Sequence, residues 1–158
     1  MRLYLVQHGE ALPKEADPDR PLSEQGRVDV EAMAGFLERS GCRADRVIHS
    51  GKTRAEQTAA ILTAAMVPGA EAVMSKGLGP NDSVVGFAGT VQSWTRDTVV
   101  VGHLPFLGRL ASRLVVGRED AHLAAFVPGS MLCLEHGEHQ GWTVAWMLRP
   151  ELLTTEGG

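Results

Sequence analysis

Apolar and polar residues along this chain fall into blocks that switch between strand-like runs and helical spacing. Leu3-Tyr4-Leu5-Val6 is a continuous β-rich apolar run that stops at the polar triplet Gln7-His8-Gly9, and it predicts a buried strand over Leu3–His8. From Glu10 to Pro21 the chain is charged and carries Pro13, Pro18 and Pro21, which predicts a loop. Arg20-Pro21-Leu22-Ser23 leads into a helix in which Val30, Met33 and Leu37 recur among charged residues. Ser23 suits the N-cap, Glu24 the first turn and Gly41 the stop. Arg46–Ser50 predicts a second strand, and Thr53–Met66 a second helix with Ile61, Leu62 and Ala65 as its apolar stripe. Thr53-Arg54-Ala55-Glu56 has the form of a capping box, although Ser50 could cap an earlier start.

Pro68-Gly69 breaks the pattern, and Ala70–Met74 predicts a third strand. Asn81 or Asp82 would cap a weak helix to Trp94, weak because it contains Gly86 and Gly89. Thr98–His103 is the fourth strand, and its valines imply burial on both faces. Pro105 fits the first turn of a further helix that buries Phe106, Leu107, Leu110, Ala111 and Leu114, with Arg109 and Arg113 together on another side. Met131–Glu135 and Trp142–Trp146 flank the turn-rich segment His136–Gly141 and predict a hairpin. The end of the chain, from residue 150 to Gly158, is expected to be a flexible tail. Helices alternating with strands, closed by a hairpin, indicate an α/β fold: a three-layer α/β/α sandwich with a mostly parallel central sheet.

Composition narrows the function classes. The chain has 158 residues, 44% of them hydrophobic and 22% charged, which predicts one globular domain over 1–158. A formal net charge of −4 argues against nucleic acid as a partner, although Arg20, Arg54, Arg109 and Arg113 could still gather into one basic patch. Cys42 and Cys133 have no metal-ligand spacing and fit a reducing compartment. The run Leu3–Val6 is far too short for a signal peptide or a membrane span, so a cytoplasmic protein without a membrane partner is the expectation.

The chemistry gathers at strand ends. His8 and His103 each follow a glycine-flanked, valine- or leucine-rich strand, and Arg54 lies at the start of a helix. In a parallel sheet such points converge on one edge, where imidazoles, a guanidinium and helix N-termini make an oxyanion pocket suited to a phosphoryl group. Gly9 and Gly102 would let the backbone approach a ligand closely. A single histidine at a strand end is more often an ordinary surface group; two of them beside an arginine bring the two readings level. His49 reads as a supporting or surface residue, and His122, His136 and His139 as solvated loop residues. A zinc site is the weaker alternative, because there is no His-x-His or Cys-x-x-Cys pair.

Four stretches carry a family resemblance: Gln7-His8-Gly9-Glu10; Arg20-Pro21-Leu22-Ser23 with Gly26; His49-Ser50 through Arg54-Ala55-Glu56-Gln57-Thr58; and Val101-Gly102-His103-Leu104-Pro105. With them the chain resembles the histidine phosphatase superfamily of phosphoglycerate mutase-like fold, and within it the small SixA-type phosphohistidine phosphatases. The resemblance implies that His8 is a nucleophile that becomes transiently phosphorylated. Its ring must then be neutral, with one nitrogen free and the other fixed by a backbone acceptor. It implies further that Arg54 and a protonated His103 hold the phosphoryl oxygens, that Gln7, Gly9 and Arg20 belong to the phosphate site, and that neither metal nor cofactor is needed. Glu10 is expected to face the loop, and Asp82 is the candidate proton donor for a leaving group.

One residue departs from the family pattern. An arginine is expected where this chain has Gln7, and glutamine offers hydrogen bonds but no charge. Three functions follow: a slower phosphatase acting on phosphohistidine in a partner protein; a phosphatase of a nucleotide or other small phosphorylated metabolite; and a catalytically weak phosphate-binding or regulatory protein.

Overall fold

Five consecutive buried residues, Thr98–Gly102, make the strand (β4) on which the sheet is assembled. The structure is a computed structural model and describes residues 1–153. The six strands stand in the order β3-β2-β4-β1-β5-β6. Of these, β1 (Arg2–Gln7), β2 (Arg46–His49) and β3 (Val73–Met74) run parallel with β4, whereas β5 (Met131–Gly137) and β6 (Gly141–Leu148) form an antiparallel hairpin against β1. Gln7 pairs with Gly102 at the carboxyl end, so both histidine-bearing strands finish level.

Connectivity decides which face each helix covers. From β1 the chain steps toward one edge through helices α1 (Glu24–Arg39) and α2 (Thr53–Met66); it then returns through α3 (Val84–Val91) and α4 (Phe106–Val116). Right-handed crossovers in opposite directions place helices on opposite faces. Accordingly Tyr4, Val6, Val99 and Val101 pack with Met33, Leu37, Ala59 and Leu62, while Leu3, Leu5 and Val100 pack with Phe87, Phe106, Leu107 and Leu110. This is the expected three-layer α/β/α sandwich. Burying a valine or leucine fully contributes about 1.5–3 kcal/mol, which explains why β1 and β4 read as unbroken apolar runs.

Several local expectations need correction. Ser23 caps α1 as predicted, its Oγ accepting the Gly26 N–H at 3.0 Å. Thr53, however, is already helical, and the N-cap is Lys52 with no side-chain cap. β3 contracts to Val73–Met74, both exposed, because it pairs only on one side with β2. Helix α3 begins after Ser83, and Asp82 does not cap it; its Oδ2 accepts the Gly79 N–H at 2.7 Å instead. His136 belongs to β5 rather than the turn, although it is exposed as expected. The tail does not start at residue 150: Pro150–Leu152 forms a 3-10 turn with Pro150 buried. Residues 154–158 lie outside the described part of the chain. Among the described residues no helix is long and apolar enough to cross a membrane.

Candidate active site

His8 sits one residue past β1, where the chain leaves the sheet, and its backbone is held from both sides. Its N–H donates to the Gly102 carbonyl of β4 at 3.1 Å, and its carbonyl accepts the Gly129 N–H at 3.1 Å. The ring is fixed as well. Nδ1 lies 2.7 Å from the Gly9 carbonyl, an obligate acceptor, so Nδ1 carries the proton and Nε2 keeps its lone pair. Burial, with the nearby Arg54 and Arg20 charges, holds the His8 pKa below the usual histidine value despite the opposing effect of the Gly9 bond. The side chain is thus a neutral imidazole with a defined free nitrogen.

Arg54 reaches that nitrogen from the first turn of α2, its Nε 3.3 Å from His8 Nε2. Burial and the neighbouring Arg20 lower the guanidinium pKa, yet an arginine remains charged at neutral pH. His103 completes the group, its ring centroid 5.0 Å from that of His8. It is 2% exposed, and its Nε2 lies 2.6 Å from Ser50 Oγ. The protonated state expected for His103 is that of a site with a phosphoryl group bound; the free site works against it. Burial, then the charges of His8, Arg54, Lys52 and Arg20, pushes its pKa down to about 3. A phosphoryl dianion entering the site would oppose that depression.

Gly9 is not a phosphate donor. Its N–H is taken by Thr58 Oγ1 at 3.0 Å, and a Cβ there would stand 2.8 Å from Val30 Cγ2. The glycine serves close packing against α1 and the fixing of His8. Gly26 does the reciprocal work, since a Cβ on it would lie 2.0 Å from the Glu10 carbonyl oxygen. A Cβ on Gly102 would meet only ordinary van der Waals contacts, the nearest at 3.6 Å from Leu107 Cδ2, so crowding does not demand a glycine there. Gln7 reaches the same strand end, but its Oε1 is buried without a hydrogen-bond donor.

Arg20 closes the loop that follows His8. Leu12 N–H donates to the Pro21 carbonyl at 2.8 Å, pinching the loop at its neck, and Arg20 Nε donates to the Leu12 carbonyl at 3.1 Å. Arg20, Arg54, Lys14 and Lys52 then line one cavity of about 500 Å3. Arg109 and Arg113 line other depressions, so the four arginines considered from sequence do not form one patch. Asp82 is absent from that lining, its carboxylate engaged in its own turn, and Glu10 accepts from Ser23 Oγ at 3.1 Å. His49 is buried and accepts the Gly51 N–H at 3.0 Å. Among the described residues no group of three or more His, Cys, Asp or Glu side chains could hold a metal ion.

From sequence Ser50 is expected only as an alternative helix cap, and no site role is expected for Lys52, Gln57 or Thr58. Gln57 Oε1 accepts the Leu22 N–H at 2.7 Å, and Thr58 Oγ1 also donates to the Arg54 carbonyl at 2.8 Å. The signal was present, because all four lie in the stretch from His49 to Thr58, but only the fold shows what each side chain touches.

The chain is similar to known proteins over most of its length. Residues 3–78 match the model of the histidine phosphatase superfamily (branch 1). An uncharacterized protein of Picosynechococcus is 33% identical over 130 residues, which is 78% of each chain. The phosphohistidine phosphatase SixA of Escherichia coli is 27% identical over 155 residues, 95% of this chain and 94% of its own. A structure of the protein histidine phosphatase SixA complexed with tungstate superimposes with a TM-score of 0.85 at 26% identity, over 98% of this chain and all of the other. The chain belongs to the histidine phosphatase superfamily, and within it is similar to SixA.

Proposed function

We propose that this protein is a phosphatase that works through a phosphohistidine on His8 and removes the phosphoryl group from phosphohistidine in a partner protein. The observation that carries this reading is the His8–Gly9 hydrogen bond of 2.7 Å, which leaves Nε2 as a lone-pair nucleophile beside the Arg54 guanidinium. Nε2 attacks phosphorus and the bond from phosphorus to the leaving nitrogen breaks; the leaving ring departs neutral if its other nitrogen already carries a proton, and otherwise takes one from solvent. Water then attacks the phosphoimidazole, releasing phosphate and returning the neutral ring. These steps draw on protein groups and water alone. Arg54 and His103 hold the phosphoryl oxygens while charge redistributes among them.

Imidazole as leaving group suits the site. Among the described residues Glu15, which is exposed, is the one carboxylate lining the cavity, and the candidate proton donor Asp82 and the motif's Glu10 are engaged elsewhere. Transfer between two imidazoles is nearly balanced in energy and asks little of a general acid. The likeness to SixA, named a phosphohistidine phosphatase, supports the same choice. A small phosphorylated metabolite is the second reading, favoured by a cavity large enough for a whole ligand.

The test is to incubate the protein with a histidine-phosphorylated domain, quench in alkali and map phosphate by mass spectrometry. Acid-labile phosphate on His8, release of inorganic phosphate, and loss of both in His8→Ala are expected. Release of phosphate by His8→Ala at the wild-type rate overturns the reading.

A further inference from the structure

His8, Arg54 and His103 account for one phosphoryl group, but the adjoining cavity is larger and more cationic than that group requires. At about 500 Å3 it falls in the range of cavities that take a complete small ligand, roughly 300–1,000 Å3. Its charged lining is Lys14, Arg20, Lys52 and Arg54 against the single carboxylate of Glu15. That is a concentration of positive charge in a chain whose formal net charge is −4. None of the four cations is in an ion pair: the salt bridges among the described residues join Arg2 to Glu135, Arg118 to Asp120 and Arg149 to Glu151.

Like charges around a shared hollow repel one another, and an anion in the hollow relieves that repulsion. Two of the cations are fixed in place. Arg54 rides on α2, and Arg20 is anchored through Nε to the Leu12 carbonyl while its backbone takes a φ of 48°, an uncommon value for a residue with a side chain. Lys14 and Lys52 are exposed and come from separate segments, the pinched loop and the start of α2. The fields of Lys52 and Arg20 reach His103, so the cavity and the phosphoryl site are electrostatically one region. Arg54 and Arg20 belong to both, since their charges act on His8 as well, which leaves Lys14 and Lys52 to meet a different part of the same substrate.

Resting on the phosphatase reading above, we propose that Lys14 and Lys52, with Arg20 shared between them and the phosphoryl site, form a second anion subsite, and that the preferred substrate carries a carboxylate or second phosphate on its leaving group. That anion has two possible sources with the same chemistry: a small bis-anionic metabolite, or an acidic side chain beside the phosphohistidine of a protein.

Calorimetry with pyrophosphate and with inorganic phosphate reads the subsite without turnover. Wild-type protein is expected to bind pyrophosphate about tenfold more tightly than phosphate or better, and Lys14→Ala/Lys52→Ala to lose most of that preference. Equal binding of the two anions by the wild type, or a preference that survives the double substitution, overturns the proposal. Turnover then separates the sources. A higher kcat/KM for a nucleoside diphosphate than for phenyl phosphate assigns the subsite to small molecules. A higher kcat/KM for a phosphohistidine peptide flanked by glutamate than for one flanked by alanine assigns it to proteins. In either case the ratio should fall about tenfold in the double variant. Turnover with no selectivity in either pair overturns the proposal. No turnover of any substrate, with the pyrophosphate preference intact, overturns the phosphatase reading and leaves the subsite standing.

Discussion

Thr58 ties the nucleophile's loop to the helix that carries the arginine: its Oγ1 accepts the Gly9 N–H at 3.0 Å. The same hydroxyl donates to the Arg54 carbonyl at 2.8 Å, and the residue is fully buried. One side chain thus sets the spacing between His8 and Arg54.

Replacing Thr58 by valine keeps the shape and removes both bonds. The Gly9 N–H is then left buried without a partner, which costs about 1–3 kcal/mol. Urea denaturation should show that loss. Because the His8 ring hangs from the Gly9 carbonyl, kcat should fall while KM changes little, and unchanged kcat in a folded Thr58→Val protein would remove Thr58 from the positioning of His8.

Gly26→Ala tests the same loop from the other side. Its Cβ would lie 2.0 Å from the Glu10 carbonyl oxygen, so backbone must move where no flexible side chain can yield. Overpacking of this kind costs about 1–3 kcal/mol. We expect a lower thermal midpoint together with reduced activity. Glu24→Ala on the exposed first turn of the same helix serves as the control for general helix weakening.

The pH dependence follows from two depressed histidines. His103 is lowered to about 3 and His8 is also lowered, both chiefly by burial, so between the unfolded value near 6.5 and the folded values the unfolded chain binds more protons. Their contribution to stability is complete above about pH 6.5 and is lost as the pH falls toward the folded values. Denaturation midpoints between pH 4 and 8 should fall more steeply for the wild type than for His103→Gln. Activity should mirror His8: kcat/KM for the free protein should hold below pH 6.5, since its nucleophile stays neutral there.

Gln7 offers the sharpest substitution. Its buried Oε1 has no donor, and its amide brings no charge to the phosphoryl oxygens. A pre-organised donor in such a site is worth roughly a hundred- to a thousandfold in rate. Gln7→Arg should raise kcat on phenyl phosphate toward the lower end of that range. Should it instead lower turnover of phosphohistidine while raising that of phenyl phosphate, glutamine selects the substrate.

Local patterning marked the central strands and the residues that carry the proposed chemistry. Leu3–Val6 and the valines of Thr98–Gly102 are apolar without alternation, as suits strands covered on both faces; His8 and His103 follow these strands directly, and Arg54 lies in the first turn of α2. Local patterning also marked out α2, whose alanine-rich stretch breaks clearly at both ends, although it missed Lys52 as the cap. What the tertiary structure decided were contacts between segments far apart in the chain. Gly9 looked like a ligand-facing glycine and is a packing residue, since the helix pressing on it begins more than a dozen residues later. His103 has its pKa pushed down in the free site, because a pKa depends on burial and neighbouring charge that no local pattern contains. Lys14 and Lys52, unremarkable in sequence, face one cavity only because the loop after His8 folds back onto the start of α2.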